Sequence, residues 1–283
     1  MKNLIITNIK EYENKKRQLK KDGIEKVHVL SDFDRTLTKA FYHGEKAGSL
    51  ISRLRNGNYL SLEYARKAHE LFDYYHPIEI DSNISIDEKK DKMYEWWRKH
   101  KELLIEFGLD KQTIESCVKE MMETGIPDFR IEVKNFLQFL YSNNIPLVIL
   151  SASLEDLIKE FLKQMHVLYN NIHVIGNEFE YNERGKAIAI KRIIHVFNKN
   201  ETKLEHLPIY DGLLNRNNVI LLGDSVGDLG MVEGFPYENL LTIGFLNDNV
   251  DENIETYKEN FDIIISNDGD FGFVNKLMKE LYC

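Results

Sequence analysis

The stretch Val27-His28-Val29-Leu30-Ser31-Asp32-Phe33-Asp34-Arg35-Thr36 changes character halfway along. Its first part is a short apolar run of strand length, broken by the polar, turn-prone Ser31-Asp32. Similar runs return at residues 147–150, 172–175, 219–222 and 241–245, each followed by helical periodicity, and a sixth at 263–265 precedes a helix expected over 271–281. Apolar strands alternating with helices from residue 145 onward predict a parallel sheet covered on both faces. More than 100 residues separate the first run from the second, and they carry helical patterns at 61–75, 87–107, 110–123 and 131–141. Pro127 stands where this insert returns to the sheet, because the residue before a proline is pushed out of the helical region. The expected architecture is α/β, with a core of residues 1–39 and 127–283 and a helical cap, residues 40–126, inserted after the first strand.

The 283 residues include 46 acidic and 37 basic side chains, a net charge of -9, and 43% hydrophobic residues. That apolar content supports one or two packed domains and excludes a wholly disordered chain. Nucleic-acid recognition leans on clustered Lys and Arg, so the acidic balance argues against a nucleic-acid polymer as partner. The one basic stretch, residues 15–21, reads as the solvated face of an N-terminal helix. No apolar run approaches the roughly 20 residues of a membrane span, and residues 4–6 are far too few for the core of a secretory leader. Cys117 and Cys283 form neither a disulfide framework nor a metal quartet, which suits a reducing cytosol. A cytoplasmic protein with no membrane partner is expected.

Ligands of open parallel sheets bind beyond the carboxyl ends of the strands. Three such ends are polar here: Asp32-Phe33-Asp34-Arg35-Thr36, Ser151-Ala152-Ser153 and Gly223-Asp224-Ser225-Val226-Gly227-Asp228. Asp32 and Asp34 can reach one locus once the chain turns, and with Asp224 they concentrate negative charge that demands a cation. Hard oxygen ligands of this kind suit Mg²⁺. Beside a metal, one aspartate can attack phosphorus while its neighbour handles the proton of the leaving oxygen. An acidic loop would explain Asp-x-Asp-x-Thr alone, but a second acidic pair after a later strand favours chemistry. Ser151 and the N–H of Ala152 precede a helix opened by Glu155 and Asp156, where they can hold a phosphate oxygen; a plain helix cap is the other reading of that serine. A phosphate dianion also needs a fixed cation. Lys186, Lys191, Lys199 and Lys203 all precede the strand at 219–222, and spacing selects none of them.

The two aspartate motifs resemble those of the haloacid dehalogenase superfamily of phosphotransferases. Glu95-Trp96-Trp97, Ile194-His195-Val196-Phe197-Asn198-Lys199, Val219-Ile220-Leu221-Leu222-Gly223-Asp224-Ser225 and Ile243-Gly244-Phe245-Leu246-Asn247-Asp248 are similar to the type III cytosolic 5'-nucleotidases, or pyrimidine 5'-nucleotidases. That resemblance runs from about Val27 to the C-terminus and leaves the first 26 residues outside it. It implies a Rossmann-like core of haloacid dehalogenase type and Mg²⁺-dependent hydrolysis of nucleoside 5'-monophosphates through an aspartyl-phosphate. Asp32 is then nucleophile and metal ligand. Asp34 protonates the ribose 5'-oxygen, later activates water, and offers the metal its backbone carbonyl. Asp224 is the third protein ligand, and Asp228 orients metal-bound water or Lys199. Ser151, Ala152 and Lys199 bind phosphate, the lysine being the one that ends the His-Val-Phe-Asn-Lys run.

For the base, the resemblance places Glu79, in Ile78-Glu79-Ile80-Asp81, where the family uses a glutamate; a carboxylate accepts hydrogen bonds from an exocyclic amine. His100, in Arg98-Lys99-His100-Lys101, replaces a serine that contacts substrate in the family, and residues 47–54 diverge from its pattern. The implied substrate is CMP or UMP. Trp97 opens an alternative, since some relatives act on 7-methylguanylate, whose cationic base sits well against aromatic faces; packing within the cap would equally account for that tryptophan. Phosphoryl transfer to another nucleoside and a non-catalytic nucleotide-binding protein are the remaining alternatives. A monomer is expected.

Overall fold

The computed structural model describes residues 3–81, 83–199, 209–234 and 237–283. The chain enters through strand β1 (Leu4–Ile6) and helix α1 (Ile9–Asp22). That helix starts under the Asn8 side chain, which accepts the Glu11 N–H, and stops at Gly23, whose φ of +82° suits glycine. The central strand β2 (Val27–Ser31) follows, then a small hairpin, β3 (Phe41–Tyr42) and β4 (Glu45–Lys46). Helices α2 (Leu50–Asn56), α3 (Leu62–Ile80), α4 (Ile86–Glu106), α5 (Lys111–Thr124) and α6 (Val133–Ser142) come next. The rest of the chain forms β5 (Leu147–Leu154), α7 (Glu155–Gln164), β6 (Ile172–Tyr181), β7 (Ala187–Arg192), α8 (Tyr210–Leu213) and β8 (Asn218–Gly223). A 3-10 segment (Val226–Gly234), β9 (Asn239–Leu246), α9 (Val250–Asn260), β10 (Ile263–Ser266) and α10 (Gly272–Tyr282) complete it.

The main sheet has the strand order β1-β10-β9-β8-β2-β5-β6-β7. The five inner pairings are parallel, as expected from the apolar runs. Alternate residues feed two cores. Val29, Ile149, Ile220 and Leu222 face one side, and Leu30, Val148, Leu150 and Leu221 the other, so helices cover both faces. Ser31 lies opposite Ile149 of β5 and Leu222 of β8, which aligns the three carboxyl ends at the point where strand order reverses.

Both sheet edges differ from the sequence expectation. The run at 172–175 opens a ten-residue strand whose successor is the antiparallel β7 and not a helix. Beyond Asn177, β6 alternates buried with exposed residues, because its outer half belongs to an edge hairpin. Residues 4–6 add an antiparallel edge strand on β10, too short to show any period. On α1, Lys15 and Lys16 reach Asp262 (2.7 Å) and Glu280 (2.6 Å), so the basic stretch lies on a surface helix facing core carboxylates. Cys117 is buried, Cys283 exposed, and both are free. No helix among the described residues is long and apolar enough to cross a membrane.

Helices α3 and α4 pack on each other through Tyr64, Ala68 and Tyr75 on one and Met93, His100 and Leu104 on the other. The expected 61–75 helix runs on to Ile80, with Pro77 in its last turn, which puts Glu79 on the helix. Helices α2 and α5 rest on α7, so Leu54, Ile114 and Val118 join one apolar cluster with Leu157 and Phe161. The buried Lys101 of α4 donates to the carbonyls of Glu178 (2.7 Å) and Arg192 (2.5 Å) on the β6–β7 hairpin. Two passages of chain link 40–126 to the sheet and run side by side: Thr38 bridges Phe129, and the Arg130 N–H donates to Leu37 O at 3.0 Å.

Candidate active site

The ladder between β2 and β8 extends one residue past Ser31, where the Asp32 N–H donates to Leu222 O at 3.0 Å, and then the chain turns. Phe33 is fully buried edge-on against Phe161, with ring centroids 5.7 Å apart, and anchors the turn between the two aspartates. Arg35 adopts a left-handed φ of +60°, held by its N–H on Thr38 Oγ1 (2.8 Å). A non-glycine residue in that region has to be held by its surroundings. Asp34 Oδ1 accepts the Leu50 N–H (2.8 Å) at the start of α2, which links the aspartate turn to the insert.

One carboxylate oxygen each from Asp32, Asp224 and Asp228 lie within 4.8 Å of one another. Lys199 Nζ sits between Asp32 Oδ1 (2.6 Å) and Asp228 Oδ1 (2.7 Å), all three side chains being nearly inaccessible. Asp228 uses its other oxygen to accept the N–H groups of Asp224 (3.1 Å) and Ser225 (3.0 Å). Gly223 is required beside it, since a Cβ there would come within 2.5 Å of Asp228 Cβ. Thr36 Oγ1 donates to Asp32 Oδ2 at 3.3 Å.

Burial dominates the electrostatics. It raises Asp32 above the usual carboxylate range, with Lys199 pulling the other way. Burial and the charge of Asp32 push Asp34 up to about 7 and Asp224 up to about 8. Burial also works against a charged Lys199, yet Asp228 and Asp32 together outweigh it and hold the ammonium protonated. Among the described residues, four carboxyl groups outnumber the cations that meet them, and a cluster of hard oxygen donors of this kind suits a divalent ion such as Mg²⁺. Asp32 and Asp224 have oxygens available for such an ion. The carboxylate of Asp34 is turned to Leu50 and stays outside the cluster.

Ser151, Ala152 and Ser153 occupy the irregular end of β5, where pairing with β6 shifts register. Ser151 Oγ accepts the Ser153 N–H at 3.1 Å, and the buried Ser153 hydroxyl has no partner. Of the three described lysines among the four open on sequence, Lys199 is the one at the aspartates. Lys191 pairs with Glu178 (2.5 Å), Lys186 lies at a bridge with Asp110, and Lys203 falls outside the described residues. Asn177 joins the two loops: its Nδ2 donates to Ala152 O (2.7 Å) and Ile194 O (2.8 Å), and its Oδ1 accepts the Ile194 N–H (3.1 Å). Sequence reading passed over Asn177 because an asparagine inside an apolar strand shows no target until the fold supplies one.

Arg130 was also missed. Its side chain is 1% exposed and uses all its donors. Nε donates to Thr36 O (2.8 Å), one terminal nitrogen to Asp268 Oδ1 (2.8 Å) and Gly269 O (2.9 Å), and the other to Asn247 Oδ1 (2.6 Å) and Arg35 O. Asp268 in turn accepts the Ala40 and Phe41 N–H groups. A single guanidinium therefore holds the aspartate turn and the passage into the insert.

The three residues expected at the base lie on the α3–α4 pair, Glu79 near the end of α3 and Trp97 and His100 together on α4, with ring centroids 6.0 Å apart. Glu79 Oε2 meets His76 Nδ1 at 2.9 Å. His100 is buried, its Nε2 3.0 Å from the Tyr64 hydroxyl, and burial lowers it to about 3. Trp96 stacks on Tyr75 with centroids 5.9 Å apart. Trp97, half-buried, shares its side of α4 with Lys101 and with Lys89, whose Nζ lies 5.5 Å from the ring of Phe197 in the lysine loop. At 100° per residue Trp97 falls between those two lysines, on the side facing the core.

The parallel sheet, the helical insertion after its central strand and the aspartates at that strand's end define a phosphatase fold of haloacid dehalogenase type. A HAD family hydrolase from Salmonella enterica shares it, with a TM-score of 0.54 over 91% of this chain and 73% of that one at 14% identity, a likeness of fold alone. Residues 35–282 match the pyrimidine 5'-nucleotidase (UMPH-1) family, and the chain belongs to that family of phosphoric monoester hydrolases. It is 38% identical over 270 residues to the human 7-methylguanosine phosphate-specific 5'-nucleotidase, covering 94% of this chain and 88% of that one. A crystal structure of cytosolic 5'-nucleotidase IIIB bound to cytidine superposes with a TM-score of 0.88 at 28% identity, covering 99% of this chain and 93% of that chain. That superposition reaches into the first 26 residues, which the sequence resemblance left out.

Proposed function

We propose that this protein is a cytosolic, Mg²⁺-dependent 5'-nucleotidase that prefers 7-methylguanosine monophosphate and takes CMP as a weaker substrate. The likeness along most of the chain to nucleotidases named for 7-methylguanosine phosphate carries the choice of base and favours it over the CMP or UMP that the motifs alone implied. Trp97 on the core side of α4 supports it, because a cationic purine gains from an aromatic face that a neutral pyrimidine uses less well. The cytidine bound to a similar nucleotidase supports CMP as the second substrate.

In this reading Asp32 attacks phosphorus as the bond to the ribose 5'-oxygen breaks. Asp34, held near 7, keeps a proton to give to that oxygen, and the nucleoside leaves neutral. Asp34 then takes a proton from water, which attacks the aspartyl-phosphate and returns Asp32 and inorganic phosphate. Lys199 balances the phosphate charge, and the Ser151 hydroxyl and Ala152 N–H hold its oxygens. Asp32, Asp224 and the Asp34 carbonyl would hold Mg²⁺, which when bound neutralises charge on the phosphoryl group in transit. Residues 40–126 act as the cap that selects the base, through Trp97 and Glu79.

Phosphate release from 7-methylguanosine monophosphate, CMP, UMP, GMP and AMP tests this. The methylated purine should give the highest kcat/KM, CMP should follow, and GMP should stay near background. CMP or UMP exceeding it tenfold would remove the base assignment, and full activity in EDTA would remove the metal.

A further inference from the structure

Lys199 and Arg35, among the described residues, both meet the aspartate cluster, and they are built differently. Lys199 is buried and held by two carboxylates. Arg35 stands on the other side of Asp224, with Nε 3.6 Å from Asp224 Oδ2, and its side chain is 32% exposed. Its Nε is shut off from solvent and has no hydrogen-bond partner. Its backbone cannot relax, because Thr38 Oγ1 accepts its N–H while Arg130 and Asn247 both donate to its carbonyl. About a third of the side chain is exposed, so its outer part borders solvent while Nε stays beside the carboxylate.

We infer that Arg35 is a resident competitor for the divalent ion, neutralising Asp224 while the metal is absent and yielding that carboxylate when the metal binds. The inference rests on the metal reading above. A guanidinium is a fixed positive charge at any working pH. Left within a few ångströms of a divalent ion it opposes binding, and moved away it gives up its own attraction to Asp224, so either route weakens metal affinity. In return, the metal-free cluster is spared part of the repulsion between Asp224 and its neighbours Asp32 and Asp228.

The test is isothermal titration calorimetry of Mg²⁺ into the metal-free protein, with thermal melts in EDTA and in saturating Mg²⁺. Arg35→Gln keeps much of the stem and the same backbone demand while removing the charge; Arg35→Lys keeps the charge. Arg35→Gln should bind Mg²⁺ roughly five- to tenfold tighter than the parent, and Arg35→Lys about as the parent does. In EDTA the Gln variant should melt lower than the parent, and in saturating Mg²⁺ as high or higher, so the order of stabilities inverts. A parent that binds no Mg²⁺ would end the metal reading and this inference together. A parent that binds it, with a Gln variant equal or weaker, would overturn the competitor role alone.

Discussion

Asp228→Asn is the sharpest probe of how the site is held. Asp228 faces Lys199 with one oxygen and two backbone N–H groups, of Asp224 and Ser225, with the other. An amide cannot serve both sides. With its oxygen on the backbone pair, its NH₂ points at the Lys199 ammonium, donor against donor. Flipped, it keeps Lys199 and orphans two buried N–H groups. The first arrangement loses less: one charge-assisted bond, worth about 1.5–3 kcal/mol. Lys199 keeps Asp32 as its partner, so the full loss of a broken buried pair does not apply. The freed lysine then leans on the nucleophile alone, and a loss of about 2.7 kcal/mol from the transition state is a hundredfold in rate. The expectation is a drop of about 2 kcal/mol in urea unfolding and a roughly hundredfold fall in kcat/KM for a small phosphate ester, which bypasses the base. Asp228→Asn with near-parental stability and less than a fivefold loss of rate would refute the positioning argument.

Arg130→Lys can replace at most three of the bonds the guanidinium makes to the catalytic turn and Asp268, so it should cost about 2–4 kcal/mol in denaturant unfolding. It should also lower kcat for small esters, whereas unchanged kcat would mean that the turn holds without it. His28, fully buried with Nδ1 on Arg216 O, is lowered by burial to about 4 against an ordinary value near 6.5, so the unfolded chain binds its proton first. Its stabilising contribution is complete above pH 6.5 and declines by on the order of 3 kcal/mol as pH falls to 4. The raised active-site carboxyls act in the opposite direction, so the contribution is read as the difference between the parent and His28→Gln across that range; a constant difference would contradict it. Trp97→Ala should raise KM for 7-methylguanosine monophosphate about tenfold, from a cation–π contribution of about 1–2 kcal/mol, and leave small-ester hydrolysis unaltered. Equal losses on both substrates would make Trp97 a packing residue.

The apolar runs at 27–30, 147–150, 219–222 and 241–245 identified the parallel sheet because a strand buried on both faces carries its signature in consecutive residues. The same runs pointed to Asp32, Asp34, Ser151 and Asp224 as candidates, since ligands of such a sheet bind at the carboxyl ends of its strands; β5 itself runs on through Ser151 to Leu154. Residues 4–6 and the β6–β7 hairpin escaped, because an edge strand is defined by its partner and not by its own pattern. For Lys199 the sequence held four equivalent lysines, and family resemblance made the choice; the 2.6 Å contact to Asp32 is a property of two segments 167 residues apart. Arg130, Asn177 and the Arg35–Asp224 pair belong wholly to tertiary structure. Polar residues acquire meaning from what stands within about 3 Å of them. Chain order records which side chains exist at each strand end, and only packing brings their donors and acceptors to bonding distance.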